Sequence, residues 1–304
     1  MKRTDSEVGE VSEVGKSPNP LTPPSSPSSL SNRRGFLHAG VAALASWHFG
    51  FVKDHLGPIG IQLYTVRDQF SRDPEGTLAR LAQIGFKQVE FAGYPPGSAQ
   101  DVRKMLDRHG LTAPSSHAGL RAVDDTWERA LEFAAAVGQR FITVPSFGGN
   151  DRRTLDGIKR VAARFNQAGD AARKHGLTFA YHNHDFEFAP VEGAVPYDVL
   201  LAETDPKLVT FEMDLYWITK GGKDPLDYFA KWPGRFPQVH VKDMDATEKK
   251  FFANVGAGTI DFSRIFRQAK QAGIRHYYYE QDETTGDPLA SAEASYRYLR
   301  GLEF

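Results

Sequence analysis

The chain contains no cysteine. That removes thiol catalysis, disulfides and thiolate metal sites together and leaves nitrogen and oxygen as the metal donors. It also has almost no net charge: 37 Lys and Arg against 38 Asp and Glu, a formal −1 at pH 7. The basic residues form no run, so nucleic acid is disfavoured as a partner. No Gly-x-Gly-x-x-Gly follows the first apolar run, Ile59-Gly-Ile-Gln-Leu63, which is the place a nucleotide-binding open sheet needs one. Gly256-Ala-Gly258 stands alone, and with Asp261 as N-cap of the next helix it reads as a helix-entry turn before it reads as a phosphate cradle. The apolar run ending at Val52 reaches only about 17 residues, broken by Gly, His and Trp, which is a poor membrane span. What is present is the composition of a soluble globular protein, 40% hydrophobic and 25% charged over 304 residues, enough for one large domain or two small ones.

Residues 1–31 are rich in Ser, Pro, Gly, Glu and Thr, as in Ser17-Pro-Asn-Pro-Leu-Thr-Pro-Pro-Ser-Ser-Pro-Ser-Ser29. They bury too little apolar surface to offset ordering entropy and are expected to be disordered. Residues 32–56 begin with Asn32-Arg-Arg-Gly-Phe-Leu-His38 and continue into Ala39-Gly-Val-Ala-Ala-Leu-Ala45. An arginine pair before a short Ala/Gly-rich segment resembles a twin-arginine export signal, although Asn32 and His38 depart from its usual flanks. The expectation is a signal and linker, export to the periplasm, and no membrane association after signal removal.

From residue 57 to 304, short β-branched runs alternate with longer amphipathic stretches. The expected strands are Ile59–Leu63, Gln88–Phe91, Thr112–Ser116, Phe141–Pro145, Leu177–His182, Leu208–Asp214, Gln238–Lys242 and Tyr277–Gln281. Helical spacing recurs between them, for example at Leu78, Leu81, Ala82 and Gly85, at Val102, Met105, Leu106 and His109, and at Phe262, Ile265, Phe266 and Ala269. Gly85, Gly110, Gly138, Gly176 and Gly273 fit the position that closes a helix before the next strand. Eight strand-then-helix units predict a parallel (β/α)8 TIM barrel.

The densest chemistry lies in Tyr181-His-Asn-His-Asp-Phe-Glu-Phe188. Strand alternation sends His182 and His184 to one face. The same device recurs with Glu212 and Asp214, His240 and Lys242, and Glu280 and Asp282. All four pairs fall at strand ends, where a barrel of this kind builds its site. His182, Asp214, His240 and Glu280, one from each of four successive strands, make a set of two imidazoles and two carboxylates suited to Mn²⁺, Co²⁺, Fe²⁺ or Zn²⁺ rather than Mg²⁺ or Ca²⁺.

These residues carry a resemblance to the xylose isomerase-like TIM barrels, the sugar phosphate isomerase/epimerase family that includes keto-sugar epimerases and inosose dehydratases. The motifs are Gly60-Ile-Gln-Leu-Tyr-Thr-Val-Arg67, Gly85-Phe-Lys-Gln-Val-Glu90, Ser116-His117, Tyr181-His-Asn-His184, Asp214, Val239-His-Val-Lys-Asp243, Val255-Gly-Ala-Gly-Thr-Ile-Asp-Phe262 and Glu280. The resemblance implies metal ligands at His182, Asp214, His240 and Glu280, with manganese the first choice. It places Glu90, His117, His184 and Lys242 around the substrate, with Gln62 as a further contact. Of the aromatics near strand ends, Tyr64, Phe147, Trp217 and Phe251, the first and third are expected to touch substrate. Glu280 is the expected base, with His184 or Lys242 as second proton carrier; Lys242 has the alternative of pairing with Glu212 or Asp282. Glu187 and Asp185 read as solvated loop charges.

The resemblance departs at strand five. Isomerases and epimerases of the family usually carry glutamate there, whereas this chain has His182, as in the His-rich strand of inosose dehydratases. The leading expectation is a metal-dependent isomerase or epimerase acting on an unphosphorylated keto-sugar through an enediolate, since no Arg/Gly cluster on the later loops offers a phosphate site. The alternative is a lyase or dehydratase acting on a 3-keto-glycoside or inosose.

Overall fold

The computed structural model describes residues 54–121 and 123–304. The expectations for 1–31 and for 32–53 fall outside the described residues. Among the described residues, eight strands form one parallel sheet: β1 Ile59–Gln62, β2 Gln88–Phe91, β3 Thr112–Ser116, β4 Phe141–Val144, β5 Thr178–His182, β6 Val209–Asp214, β7 Gln238–Val241 and β8 His276–Tyr279. They run in the order β3-β2-β1-β8-β7-β6-β5-β4, so each pairs with its sequence neighbours and β1 pairs with β8. The last seam, β3 to β4, is held by a single bridge between His117 and Thr143 and by the Ala118 N–H on the Thr143 carbonyl at 2.8 Å. The result is a nearly closed (β/α)8 barrel.

Alternation along the strands sorts side chains into two environments. Ile61, Val89, Phe179, Phe211, Val239 and Tyr279 belong to one continuous apolar core together with the buried faces of the helices. The alternate positions hold Gln62, Glu90, Ser115, Thr143, His182, Glu212, Gln238 and His240, polar and buried. Barrel interiors are usually filled by branched aliphatic residues. Here they are filled by hydrogen-bonding groups, several of which pair with one another: Gln62, Ser115 and His240 with Glu90, and Ser115 and Gln238 with Thr143. Gly60 leaves room for Tyr278: a Cβ there would lie 2.5 Å from the tyrosine ring.

Strand ends move by no more than two residues from the expected ones, for local reasons. β1 stops at Gln62 because its side-chain oxygen accepts from Tyr64 N–H and starts a 3-10 turn, Leu63–Val66. The helices begin where capping chemistry predicts: Asp73 before Pro74–Ile84, Ser98 with Asp101 in a capping box before Ala99–Arg108, and Thr154 before Leu155–Lys174. The five helix-closing glycines all have positive φ. The helix expected around Phe262–Ala269 divides into Phe262–Phe266 and Ala269–Ala272. Asp54 and Phe304 exchange backbone hydrogen bonds at 2.9 and 3.1 Å, tying the start of the described chain to its end. No helix among the described residues is long and apolar enough to cross a membrane.

Candidate active site

The C-terminal ends of the strands bring together Glu90 (β2), His117 (after β3), His182 (β5), Glu212 and Asp214 (β6), His240 (β7) with Lys242 just beyond it, and Glu280 with Asp282 after β8. A cavity of about 330 Å³ opens above them, lined by Tyr64, Ala92, His117, Pro145, His182, His184, Lys242, Glu280 and Asp282.

His240 is the hub. Its Nδ1 lies 2.7 Å from Glu280 Oε2, and its Nε2 lies 2.6 Å from Glu90 Oε2 and 3.1 Å from Glu212 Oε2. The imidazole is wholly buried, which disfavours its proton, but Glu212 and Glu280 outweigh burial and raise its pKa well above the ordinary value. Beside it His117 Nε2 reaches Glu212 Oε2 at 2.9 Å, and its pKa also rises, Glu90 and Glu212 overcoming burial. His182 goes the other way: burial, together with the neighbouring His240, holds it neutral. Glu212 is held ionised by these imidazoles against burial, whereas burial and the charge of Glu212 push Glu90 upward.

Lys242 anchors the other half of the cluster. Its Nζ lies 2.6 Å from Glu280, 2.8 Å from Asp282 and 3.0 Å from Asp214. The expected ion pair with Asp282 is present; in place of Glu212, the further partners are Asp214 and Glu280. Asp214 divides its oxygens. Oδ1 caps the helix Leu215–Lys220 by accepting from Tyr216 and Trp217 N–H, both at 2.9 Å. Oδ2 faces His182 Nε2 at 3.7 Å and His240 Nδ1 at 3.9 Å. Burial pushes the Asp214 carboxyl up to about 6.

The residues fit a divalent cation. Ligating atoms of Asp214, His240 and Glu280 lie within 4.8 Å of one another, as do those of His117, His182, Glu212 and His240. Glu212 Oε1 is buried with no hydrogen-bond partner, while His182 Nδ1 lies 3.5 Å from Glu212 Oε2 and Asp214 Oδ2 pairs with Lys242 Nζ at 3.0 Å. A buried acceptor left like Glu212 Oε1 is expected where an ion belongs. The four expected ligands are divided between these groups, His182 in one, Asp214 and Glu280 in the other, and His240 in both. Glu212, left out of the expected set, joins one of them; its alternation with Asp214 was the signal in the sequence.

Other expected contacts divide by depth. Tyr64, His117, His184 and Lys242 border the cavity. Gln62 and Glu90 are fully buried beneath it, where Gln62 Nε2 donates to Glu90 Oε2 at 2.9 Å and Ser115 donates to Oε1. Trp217 stands behind the wall, its ring 5.4 Å from that of His184 and 5.7 Å from Lys242 Nζ. Phe147 packs in the core against Phe165 and Tyr181, and Phe251 packs against Phe252.

Glu187 corrects the sequence reading. It is fully buried, accepts the Tyr181 hydroxyl, and accepts His184 N–H at 2.9 Å, with burial raising its pKa to about 7. It braces the turn that presents His184. β5 ends at His182, yet this turn keeps the two rings 5.1 Å apart. Burial and the Lys242 charge lower His184 to about 4, so it is neutral at pH 7. The Gly256–Gly258 loop is likewise settled: Asp243 Oδ2 accepts both glycine N–H groups at 2.9 and 3.0 Å, so a carboxylate of the chain itself fills the cradle.

The fold and the cluster define a (β/α)8 barrel with a candidate metal site at the C-terminal ends of its strands. The chain belongs to the xylose isomerase-like TIM barrel family, whose model matches residues 78–302. It is 24% identical to an inosose dehydratase of Lacticaseibacillus casei over 264 residues, covering 74% of this chain and 88% of that protein. Among solved structures, a sugar phosphate isomerase/epimerase from Parabacteroides distasonis superposes with a TM-score of 0.71 at 29% identity, covering 80% of this chain and 93% of that one. The IolI protein with a bound zinc atom shares the fold, with a TM-score of 0.63 at 12% identity over 79% and 96% of the two chains.

Proposed function

We propose that the chain is a divalent-metal-dependent carbon–oxygen lyase acting on an unphosphorylated keto-sugar or keto-polyol. The observation that carries this reading is the distribution of bases around the cavity. Both lining carboxylates, Glu280 and Asp282, come from the end of β8, and the residues facing them from β3 and β5 are imidazoles: His117, His182 and His184. A two-carboxylate relay, which removes a proton from one face and returns it to the other, lacks its second member. Elimination needs one base and one acid.

His182, Asp214, His240 and Glu280 would hold the cation, with Mn²⁺ the first choice and Co²⁺, Fe²⁺ or Zn²⁺ as alternatives for a nitrogen and oxygen donor set. When bound, it supplies positive charge that stabilises the charge developing on a ketone oxygen. Glu280, held ionised against burial by Lys242 and His240, removes the proton beside the ketone. His117, with its raised pKa, carries the proton that the departing oxygen takes up. One C–H and one C–O bond break, and the new C=C bond is conjugated with the ketone. Neutral His184, whose Nδ1 has no partner, accepts a hydrogen bond from a substrate hydroxyl. The similarity to inosose dehydratases supports this reading.

The second reading, isomerase or epimerase, is favoured by the likeness to the Parabacteroides structure. In it His184 or Lys242 returns the proton to carbon. Proton NMR of products formed in D₂O separates the two. Loss of water or of an alcohol supports the lyase; deuterium beside the carbonyl with every substituent retained refutes it. Twin-arginine export to the periplasm rests on Arg33 and Arg34 and the apolar run after them. An unchanged secreted fraction in the double variant Arg33→Lys, Arg34→Lys contradicts it.

A further inference from the structure

A second cavity of about 410 Å³ lies beside the catalytic one, between the loops that follow β1 and β2. Its volume is within the range of small-molecule sites. Tyr64 and Ala92 line both cavities, so the two are contiguous. Leu63, Phe70, Tyr94 and Pro95 give the second one an apolar lining, and Arg67 is its one charged residue.

Tyr64 is 43% exposed; it and Tyr298 are the large apolar side chains left most open to solvent among the described residues. It is nevertheless fixed in place. The Arg67 guanidinium lies 4.3 Å from the ring centroid, and Arg67 Nη1 donates to the carbonyls of Tyr64 and Asp282, both at 2.9 Å. Asp282 lines the catalytic cavity. One arginine thus ties the boundary tyrosine to the strand end that carries the proposed base. The Tyr94 hydroxyl is already engaged by Ser116 and Gln139 at 2.8 and 2.7 Å, so that residue offers its ring rather than a polar group.

We infer that this second cavity is an aglycone subsite and that the substrate is a keto-glycoside whose leaving group is apolar or aromatic. The inference rests on the lyase reading and deepens it. A single sugar ring occupies the polar cavity over the cluster and leaves a neighbouring space of similar size unfilled. A second sugar would bring many hydroxyls to a lining with few free polar groups, whereas a flat apolar aglycone matches it. With the ketone two carbons from the anomeric carbon, removing the intervening proton breaks the anomeric C–O bond. The aglycone departs as an alcohol or phenol carrying the proton given up by His117, and a C=C bond forms in the ring.

The test compares methyl and benzyl 3-keto-glucosides, whose leaving alcohols are of similar acidity, on the metal-loaded wild type and on Ser71→Trp, a substitution on the exposed helix edge that fills the second cavity. Wild type is expected to favour the benzyl compound by roughly tenfold or more in kcat/KM, through KM. Ser71→Trp abolishes that preference and leaves methyl turnover within about twofold. Equal kcat/KM for the two compounds in wild type, or a preference that survives Ser71→Trp, overturns the subsite while leaving the lyase standing. If neither compound is eliminated, the lyase reading fails, and the subsite is judged by saturation-transfer NMR with phenyl β-glucoside. Saturation of the phenyl protons that Ser71→Trp removes supports it, and its absence in wild type overturns it.

Discussion

Replacing Asp243 with Asn tests whether a buried carboxylate organises the loop beside the cluster. The carboxylate is 1% exposed and accepts four backbone N–H groups: Met244 at 2.8 Å and Ile260 at 3.1 Å on Oδ1, Gly256 and Gly258 on Oδ2. Asparagine keeps one oxygen, so two donors lose their acceptor and meet an NH₂ instead. Each stranded donor costs about 1–3 kcal/mol. Gly256 is exposed and Gly258 half-buried, so water replaces part of the loss. The expected destabilisation is therefore in the lower half of the sum, about 2–3 kcal/mol, or a fall in Tm of about 5–10 °C for a domain of this size. Urea and thermal unfolding by circular dichroism, in chelator so that no bound ion contributes, measure it. Asp245→Asn, at a solvent-exposed turn, is the control. A loss for Asp243→Asn below about 0.5 kcal/mol, or one equal to the control, refutes the reasoning.

Two further predictions concern pH. Burial, with Arg275 and Arg140 nearby, lowers His276 to about 4. The fold favours its neutral form, so its contribution to stability is present above about 6.5 and is lost as pH falls from there through 4. His276→Gln should flatten the wild-type slope in that window; identical slopes contradict the assignment. Glu187 shifts the opposite way, to about 7, so its contribution is fully present below about 4.5 and is lost as pH rises through 7. Glu187→Gln should cost about 1–3 kcal/mol near pH 5 and less at pH 8, and should lower kcat by loosening the turn that carries His184. A stability gap that widens with pH, or an unchanged kcat, counts against the bracing role.

The barrel was legible because its signals are local and repeated. β-branched runs set the strands, and Asp261, read as an N-cap, accepts the Arg264 N–H at the start of Phe262–Phe266. The site was legible where alternation points two residues the same way, as in Glu212 with Asp214 and Glu280 with Asp282. Alternation does not report depth. Gln62 and Glu90 share the facing of the site residues yet lie beneath the cavity, because β1 and β2 reach it only through Tyr64 and Ala92 in the loops beyond. Glu187 looked solvated because its partners are a strand tyrosine six positions back and a backbone N–H in a tight turn, neither of which has a periodic signature. The Gly256–Gly258 loop was ambiguous for a similar reason. The group that fills it, Asp243, lies 13 residues earlier and meets it only through the fold.

If the carboxylates and imidazoles around His240 form a cation site, turnover depends on the ion held there. Elemental analysis after equilibrium dialysis against Mn²⁺ or Zn²⁺, on wild type and on His240→Ala with folding checked by circular dichroism, tests it most directly. Wild type is expected to hold one ion tightly per chain, and the variant to lose that ion together with turnover. Full metal stoichiometry in a folded His240→Ala protein, or a wild type that binds none, contradicts it.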